Sequence, residues 1–401
     1  MWSWSGRTVV LGVTGGIAAY KAAELASTLR QRGAEVRAVM TAAACEFVTP
    51  LTFRELTGFA AATDLFAPPA GFEVQHVAYA ERADVVAVVP ATANTIAKLA
   101  HGLADNLLTS IVLATRKPVL LAPAMNTGMY ENQATRANLA LLRERGVAVV
   151  GPATGRLLCG SVGAGRLAPL EDIIFALEKL LGPGDCEGLR VLVTAGGTRE
   201  ELDPVRFLGN RSSGRMGVAL ARVFAMRGAE VTLVAGTMEV PAPPGIEPVA
   251  VQTTADLGRE VLARLPDVDV IVMAAAPADF RPAVRSGRKL KREEGLSLSL
   301  APTEDIAAAV GEKKTAGQTL VIFAAETEDL VAHARAKLFR KRADLVAAND
   351  VTLPGGGFGA EKNQLHLLTA SGERPLPLLP KDEAAWAVAD AVLSLRAGRG
   401  L

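Results

Sequence analysis

The sequence predicts an α/β protein made of two Rossmann-like, doubly wound domains, and three observations carry that prediction. Apolar runs of strand length alternate with longer amphipathic runs through most of the chain, the pattern of a parallel sheet with helices on both faces. The pattern also starts twice. VVLGVTGGIAAYKAAELASTLRQRGAEVRAVMT near the beginning and RVLVTAGGTREELDPVRFLGNRSSGRMGVALARVFAMRGAEVTLVAG near the middle each read as strand, Gly-Gly turn, helix, RGAEV and strand. Each is the opening of a right-handed βαβ unit, the second enlarged by an insertion over 199–214. Finally, 401 residues exceed one ordinary core, and the Gly- and Pro-rich stretch LGPGDCEG breaks the periodicity between the halves. The expected organisation is a domain over 1–181, a linker over 182–187 and a domain over 188–401.

In the first half, strands are expected near 9–13, 36–40, 85–89, 119–122 and 147–150. In the second they fall near 191–194, 231–234, 270–274, 320–324 and 344–347, with a late one at 365–368.

Bulk properties exclude several classes. Lysine plus arginine number 43 against 42 aspartates plus glutamates, so no global field recruits nucleic acid or an acidic membrane. Cys45, Cys159 and Cys186 are far apart and form no CxxC pair, which argues against a disulfide framework or structural zinc and fits a reducing cytosol. The opening MWSWSG lacks a signal pattern, and no apolar run approaches the roughly 18 residues that span a bilayer. A soluble, cytoplasmic chain is expected.

In open α/β sheets, ligands bind beyond the carboxyl ends of the strands. Thr14, Gly15 and Gly16 follow the first strand and precede a helix with apolar Ala18, Ala22, Leu25 and Leu29. Two glycines at a helix N-terminus leave N–H groups open to an anion, although the pair alone is equally a tight turn. The G-x-G-x-x-G fingerprint is missing, so this is no ordinary NAD site. Thr41 follows the second strand, Pro90-Ala-Thr-Ala-Asn-Thr95 the third and Pro123-Ala-Met-Asn-Thr127 the fourth. A single Asn in such a loop is usually a cap or turn former. Asn94 and Asn126 together, on the rim that carries Gly15, point to a ligand.

The words TGGIAAYKA, FVTPLTF, PATANTIAKLAHGLADNLL, APAMN and CGSVGAGR make residues 6–180 resemble the flavin-dependent cysteine decarboxylase family. That resemblance implies a flavodoxin-like flavoprotein domain, with FMN lined by Gly15, Gly16, Ile17, Thr41, Thr92, Ala93, Asn94, Thr95 and Ala124. It implies a catalytic trio of His76, Asn126 and Cys159: an acid/base imidazole, an amide holding the substrate carboxylate, and a proton donor on a covering flap. Without that context a lone His is more often structural and a solitary Cys inert filler. The three glycines of CGSVGAG predict a mobile loop. Leu158 and Leu167 replace the family's usual Ala and Met, apolar changes that leave the Cys-Gly pair intact.

In the second half, Thr194-Ala-Gly-Gly-Thr198, Arg199–Arg206 and Asn210–Gly217 place basic, amide and hydroxyl groups before a helix, suiting phosphate and carboxylate. An ordered loop capped by Ser and Asn is the plainer reading. Asp279 follows a strand, where a carboxylate suits Mg²⁺ bound to phosphates. The Lys289-Leu-Lys-Arg292 cluster, by itself, reads as a solvated hairpin.

Together TAGGTRE, DPVRF, NRSSG, AAxADF, KLKR, FAAET and ANDV…GFG…N resemble the phosphopantothenate–cysteine ligase family over about 188–395. The resemblance implies CTP contacts from Met273, Ala274, Ala275, Asp279, Lys289, Glu304, Asp305, Ile306, Ala307, Phe323, Lys337 and Lys341, with Mg²⁺ at Asp279. Arg206, Asn210 and Ala276 would meet 4'-phosphopantothenate or its acyl-cytidylate, and Asn210 and Lys289 would be catalytic. Gly209, Pro277, Phe280 and Arg292 depart from the family's common Ser, Val, Tyr and Lys, which bears on nucleotide choice more than on the reaction.

The combined resemblance implies a bifunctional enzyme: ligation of cysteine to 4'-phosphopantothenate with CTP, then FMN-dependent decarboxylation to 4'-phosphopantetheine. It further implies homo-oligomers, trimeric at the flavin domains and dimeric at the ligase domains, grouped as a dodecamer. Two other readings are one active half with a scaffold partner, and a phosphatase-inhibiting regulatory relative. The complete His76, Asn126 and Cys159 set and the missing acidic tail after Leu395 speak against the latter.

Overall fold

The computed structural model describes residues 3–66, 74–156, 162–291, 297–326, 328–350 and 360–398. It divides into two compact units, Trp2–Gly182 and Pro183–Leu401.

The first unit runs β1 (Thr8–Val13), α1 (Ala19–Gln31), β2 (Glu35–Met40), α2 (Ala42–Cys45), α3 (Pro50–Thr57), α4 (Gln75–Arg82) and β3 (Val85–Ala91). It continues with α5 (Ala93–His101), α6 (Leu107–Ala114), β4 (Val119–Pro123), α7 (Thr127–Glu131), α8 (Gln133–Glu144) and β5 (Ala148–Val149). A hairpin of β6 (Ala153–Arg156) and β7 (Val162–Arg166) precedes α9 (Leu170–Leu181). The sheet is parallel in the order β2-β1-β3-β4-β5. Every residue of the central β3, VVAVVPA, is buried, as a strand covered on both faces requires. One face packs on Leu25, Leu29, Phe53 and Ile173 of α1, α3 and α9. The other packs on Ile96, Leu108 and Leu139 of α5, α6 and α8, each such side chain contributing about 2 kcal/mol.

The second unit opens with β8 (Arg190–Ala195), the short pair β9 (Glu200–Glu201) and β10 (Phe207–Leu208), then α10 (Arg215–Met226) and β11 (Glu230–Ala235). Next come β12 (Val249–Ala250), α11 (Thr254–Arg264), β13 (Val270–Met273), the hairpin β14 (Phe280–Pro282) and β15 (Leu300–Pro302), and α12 (Ile306–Lys313). The unit ends with β16 (Thr319–Glu326), α13 (Leu330–Arg340), β17 (Leu345–Asp350), β18 (Lys362–Leu368), β19 (Glu373–Pro380) and α14 (Lys381–Arg396). Its sheet is ordered β12-β11-β8-β13-β16-β17-β18-β19, parallel through β17 and antiparallel thereafter. Helices α10 and α14 cover one face around Phe224 and Val388; α11, α12 and α13 cover the other around Val261, Val310 and Leu338. Both units are therefore doubly wound.

The linker expected over 182–187 is shorter in the structure. Cys186 is fully buried in the second core, and burial pushes its thiol up to about 11. Asp185 joins Asp390 in gripping the buried Arg227, each at 2.6 Å. Chain from Pro183 onward thus belongs to the second unit.

Candidate active sites

In the first sheet the strand order reverses at β1 and β3, which opens a crevice between their carboxyl ends. Hydrogen bonds lock this rim. The buried Thr14 hydroxyl donates to the Pro90 carbonyl (2.7 Å) and accepts from the Thr92 N–H (3.1 Å). The Thr41 N–H donates to Val13 O (3.0 Å), and the Ala124 N–H to Ala91 O (3.2 Å). Thr92 caps α5 by accepting from the Thr95 N–H, and Thr41 caps α2 through Ala44. Gly15, Gly16, Ile17, Thr41, Thr92, Ala93, Asn94, Thr95 and Ala124 accordingly share one edge, with Ile17 and Asn94 exposed on it.

The two glycines differ. A Cβ on Gly15 would sit 2.4 Å from the Ala43 Cβ, so α2 requires glycine there. A Cβ on Gly16 would meet only Thr92 Cγ2, at 3.7 Å, leaving open space. Helix α1 has no side-chain cap, and the N–H groups of Gly16, Ile17 and Ala18 have no acceptor among the described residues. Open space beside an uncapped helix start fits the phosphate and ring of a flavin nucleotide.

Asn126 caps α7 by accepting from the Gly128 N–H at 2.8 Å. The β6–β7 hairpin is stitched to the same turn: Met125 N–H donates to Gly165 O (2.9 Å), and a Cβ on Gly163 would strike Thr127 Oγ1 at 2.6 Å. At Gly165, with φ of 149°, a Cβ would lie 2.2 Å from Met125 O. Gly163 and Gly165, read in sequence as sources of loop mobility, instead permit this close docking. Cys159, with Leu158, falls in the connection between the two hairpin arms and lies outside the described residues. His76 is half-buried in the first turn of α4, which packs on α6. Among the described residues no hydrogen bond joins it to Asn126.

In the second unit the order reverses at β8 and β13. The turns beyond them are interlocked: Ala275 N–H donates to Thr194 Oγ1 (3.0 Å), Ala276 N–H to Gly196 O (2.8 Å) and Ala278 N–H to Thr198 Oγ1 (2.8 Å). Thr254 (3.2 Å) and Thr303 (2.6 Å) both donate to the Ala278 carbonyl, and Thr303 N–H donates to Asp279 O (3.0 Å). This threonine set, not foreseen from sequence, fixes the backbone of Asp279 beside Glu304 while its carboxylate stays exposed.

Asn210 donates from Nδ2 to Pro277 O (2.8 Å), next to Ala276. Gly209 packs on the Thr198 carbonyl, which a Cβ would approach to 2.6 Å, so the departure from Ser is sterically coherent. Buried Asp203 accepts N–H bonds from Val205 (2.8 Å), Arg206 (2.8 Å) and, from the distant loop, Leu290 (3.1 Å). Arg206 Nη2 donates to Leu290 O at 2.9 Å. Burial alone would raise the Asp203 carboxyl, but those N–H donors and Arg206 hold it below the usual carboxylate range. Asp203 thus clips the Lys289 segment to the Arg206 loop, and Lys289 itself is exposed without an ion-pair partner among the described residues.

The remaining nucleotide candidates divide. Ile306, Ala307, Met273 and Ala275 line the α11–α13 face, whereas Phe323 and Ala274 pack on the α10–α14 face. Lys341 pairs with Asp305 (2.9 Å) and Lys337 with Glu326 (2.5 Å), so both lysines already hold carboxylates. Among the described residues no group of three His, Cys, Asp or Glu could cage a metal. One exposed carboxylate, Asp279, fits a cation held largely by phosphate oxygens.

Residues 3–182 match the Flavoprotein family, and residues 186–395 match the DNA/pantothenate metabolism flavoprotein C-terminal domain. Over 391 residues the chain is 43% identical to the coenzyme A biosynthesis bifunctional protein CoaBC of Vibrio cholerae, covering 97% of this chain and 98% of that protein. The chain belongs to the bifunctional coenzyme A biosynthesis family. The relative of the same name in Bacillus subtilis is 42% identical over 395 residues, 97% of each chain. A crystal structure of the C-terminal domain of a CoaBC protein aligns with TM-score 0.47 and 35% identity, over 54% of this chain and 99% of that one. As a member of this family, the protein is a flavoprotein enzyme with decarboxylase and ligase activities in coenzyme A biosynthesis. No helix among the described residues is long and apolar enough to cross a membrane.

Proposed function

We propose that the β8/β13 crevice ligates cysteine to 4'-phosphopantothenate using CTP, and that the β1/β3 crevice decarboxylates the product with FMN. The observation that carries the ligase reading is the Asp203 clip, which brings the Lys289 segment to Arg206 on the edge where Asn210 and Asp279 stand. A carboxylate is a poor electrophile, so its oxygen first attacks the α-phosphate of CTP, forming the mixed anhydride and releasing pyrophosphate. The cysteine amine then attacks the acyl carbon, and CMP leaves. Arg206 and Asn210 orient the carboxylate and its anhydride, and Lys289 offsets charge gathering on the phosphate. Asp279 would hold Mg²⁺ together with the CTP phosphates. Lys337 and Lys341 serve the nucleotide by exchanging Glu326 and Asp305 for it.

On the first rim, FMN would supply oxidation of the cysteinyl thiol and later return the electrons, leaving the decarboxylation redox-neutral overall. Asn126 holds the substrate carboxylate, His76 moves the proton of the oxidation, and Cys159 protonates the product. The assembly proposed is a cytoplasmic homo-oligomer, a dodecamer of trimeric flavin units and dimeric ligase units. Separate variants test the division of labour. Cys159→Ser should stay yellow and ligate normally but lose 4'-phosphopantetheine formation. Lys289→Gln should lower CTP-driven pyrophosphate release at least tenfold and leave decarboxylation of added 4'-phosphopantothenoylcysteine intact. Equal loss of both activities in either variant would contradict the assignment.

A further inference from the structure

Glu326 ends β16, the strand next to β13, on the carboxyl edge where the ligase crevice opens. Ile322 and Ala324 of this strand face the α11–α13 core, so Glu326, two residues further on, faces α13. Its side chain keeps only 11% of its surface in contact with water. The two carboxylate oxygens meet two different basic groups. Lys337 Nζ donates to Oε1 at 2.5 Å, and His333 Nδ1 lies 3.5 Å from Oε2. His333 and Lys337 stand four residues apart on α13, hence on one helix face. Lys337 is half-buried, whereas the His333 side chain is 55% exposed and open to proton exchange with water. Other ionisable groups surround this carboxylate on the packed elements. On β17, Asp350 is the register partner of Glu326; on β18, His366 is the register partner of Ala348, which faces the same core. Along α13, Asp329 stands at the N-cap, Glu373 holds Arg335 at 3.2 Å and Asp305 holds Lys341 at 2.9 Å.

Moving Lys337 to a nucleotide phosphate strips Glu326 of its cation where water scarcely reaches the carboxylate, which is costly unless another cation takes over. His333 already stands within ion-pair reach, and histidine is the side chain whose charge changes in the neutral range. We propose that Glu326 and His333 are positioning residues of the nucleotide step. Glu326 parks Lys337 until the nucleotide arrives; His333 then takes a proton from water and replaces Lys337 as the partner of Glu326. The proton returns to water when the products leave and Lys337 comes back. Because the nucleotide-bound state holds the extra proton, binding is tightest at low pH and weakens as pH rises through the range in which histidine loses its charge. The proposal rests on the reading of Lys337 as a nucleotide contact of the ligase and adds the groups that control that contact.

The test follows KM for CTP against pH, from pyrophosphate release by the full-length protein with 4'-phosphopantothenate, cysteine and Mg²⁺. His333→Gln removes the proton site, keeps the pair of Glu326 with Lys337, and reports how the nucleotide's own phosphates titrate. From about pH 6 to about pH 8.5, KM should rise about fivefold more in the unsubstituted protein than in His333→Gln, the two converging toward the alkaline end. Glu326→Gln, which releases Lys337, should lower KM for CTP about threefold and share the pH profile of His333→Gln. Glu326→Asp should restore part of the original profile, His366→Gln should keep all of it, and kcat should stay within about twofold throughout. Calorimetry of CTP and Mg²⁺ binding in buffers of different ionisation enthalpy should register more proton uptake by the unsubstituted protein than by His333→Gln. Identical pH profiles for those two proteins would overturn the proposal, as would a profile lost in His366→Gln instead. A raised KM in Glu326→Gln would overturn it too, by showing that Glu326 holds Lys337 toward the nucleotide and not away from it. So would an unchanged KM for CTP in Lys337→Met. If Glu326→Gln fails to fold, the exposed His333 decides through its own variant. Absence of any pyrophosphate release by the unsubstituted protein would instead sink the ligase reading itself.

Discussion

Neighbouring glycines in the first crevice have opposite tolerances. Ala at Gly15 must push into Ala43, backbone included at 2.8 Å, whereas Ala at Gly16 meets nothing closer than 3.7 Å. Gly15→Ala should cost about 1–3 kcal/mol and release flavin. Gly16→Ala should stay within about 0.5 kcal/mol of the parent in thermal unfolding. Equal melting temperatures for the two variants would show that α2 is not seated against Gly15 as described. Sequence exposed the Gly-Gly pair but not this asymmetry, because Ala43 reaches Gly15 only through the fold. Asp203 teaches the same lesson. DPVRF marked its loop as polar, yet one of its acceptor roles serves an N–H 87 residues away. By contrast, the turns that carry Asn126 and Asn210 were legible because each follows directly on a strand or a Gly-rich loop, and there Asn126 caps α7 while Asn210 bonds to the Pro277 carbonyl.

Among elements, the threonines after the strands hold the crevices open at fixed width. Thr14 bridges β1 to β3 by donating to Pro90 and accepting from Thr92. Thr14→Val would leave that carbonyl and N–H unsatisfied in a buried place, costing about 1–3 kcal/mol. The urea midpoint should fall with unchanged slope, and flavin retention should fall with it. A midpoint equal to the parent's would mean that the bridge adds no stability. Every expected parallel strand is present, since long apolar runs between turn residues leave little alternative. What escaped notice was short or proline-rich. β19, ERPLPLLP, carries prolines that argue against a strand, and it survives as one because it lies at the sheet edge, where missing N–H donors cost least. The pairs β9–β10 and β14–β15 are two or three residues long, below what a period of two can reveal.

For the whole molecule, each unit has its own two-faced core, and the second claims the chain from Pro183 through the buried Cys186 and Arg227. The doubling was legible in the repeated strand–Gly-Gly–helix–RGAEV pattern; the boundary was blurred because Gly and Pro mark a turn whether or not the next residues are buried. Two independent crevices imply two separable reactions in series. The most direct test supplies the protein with 4'-phosphopantothenate, cysteine, Mg²⁺ and either CTP or ATP, following pyrophosphate and carbon dioxide separately. Equal amounts of both products should form with CTP, pyrophosphate leading in time, and omission of cysteine should abolish carbon dioxide. Carbon dioxide formed without nucleotide, or pyrophosphate formed with no carbon dioxide from a yellow, folded protein, would contradict the account.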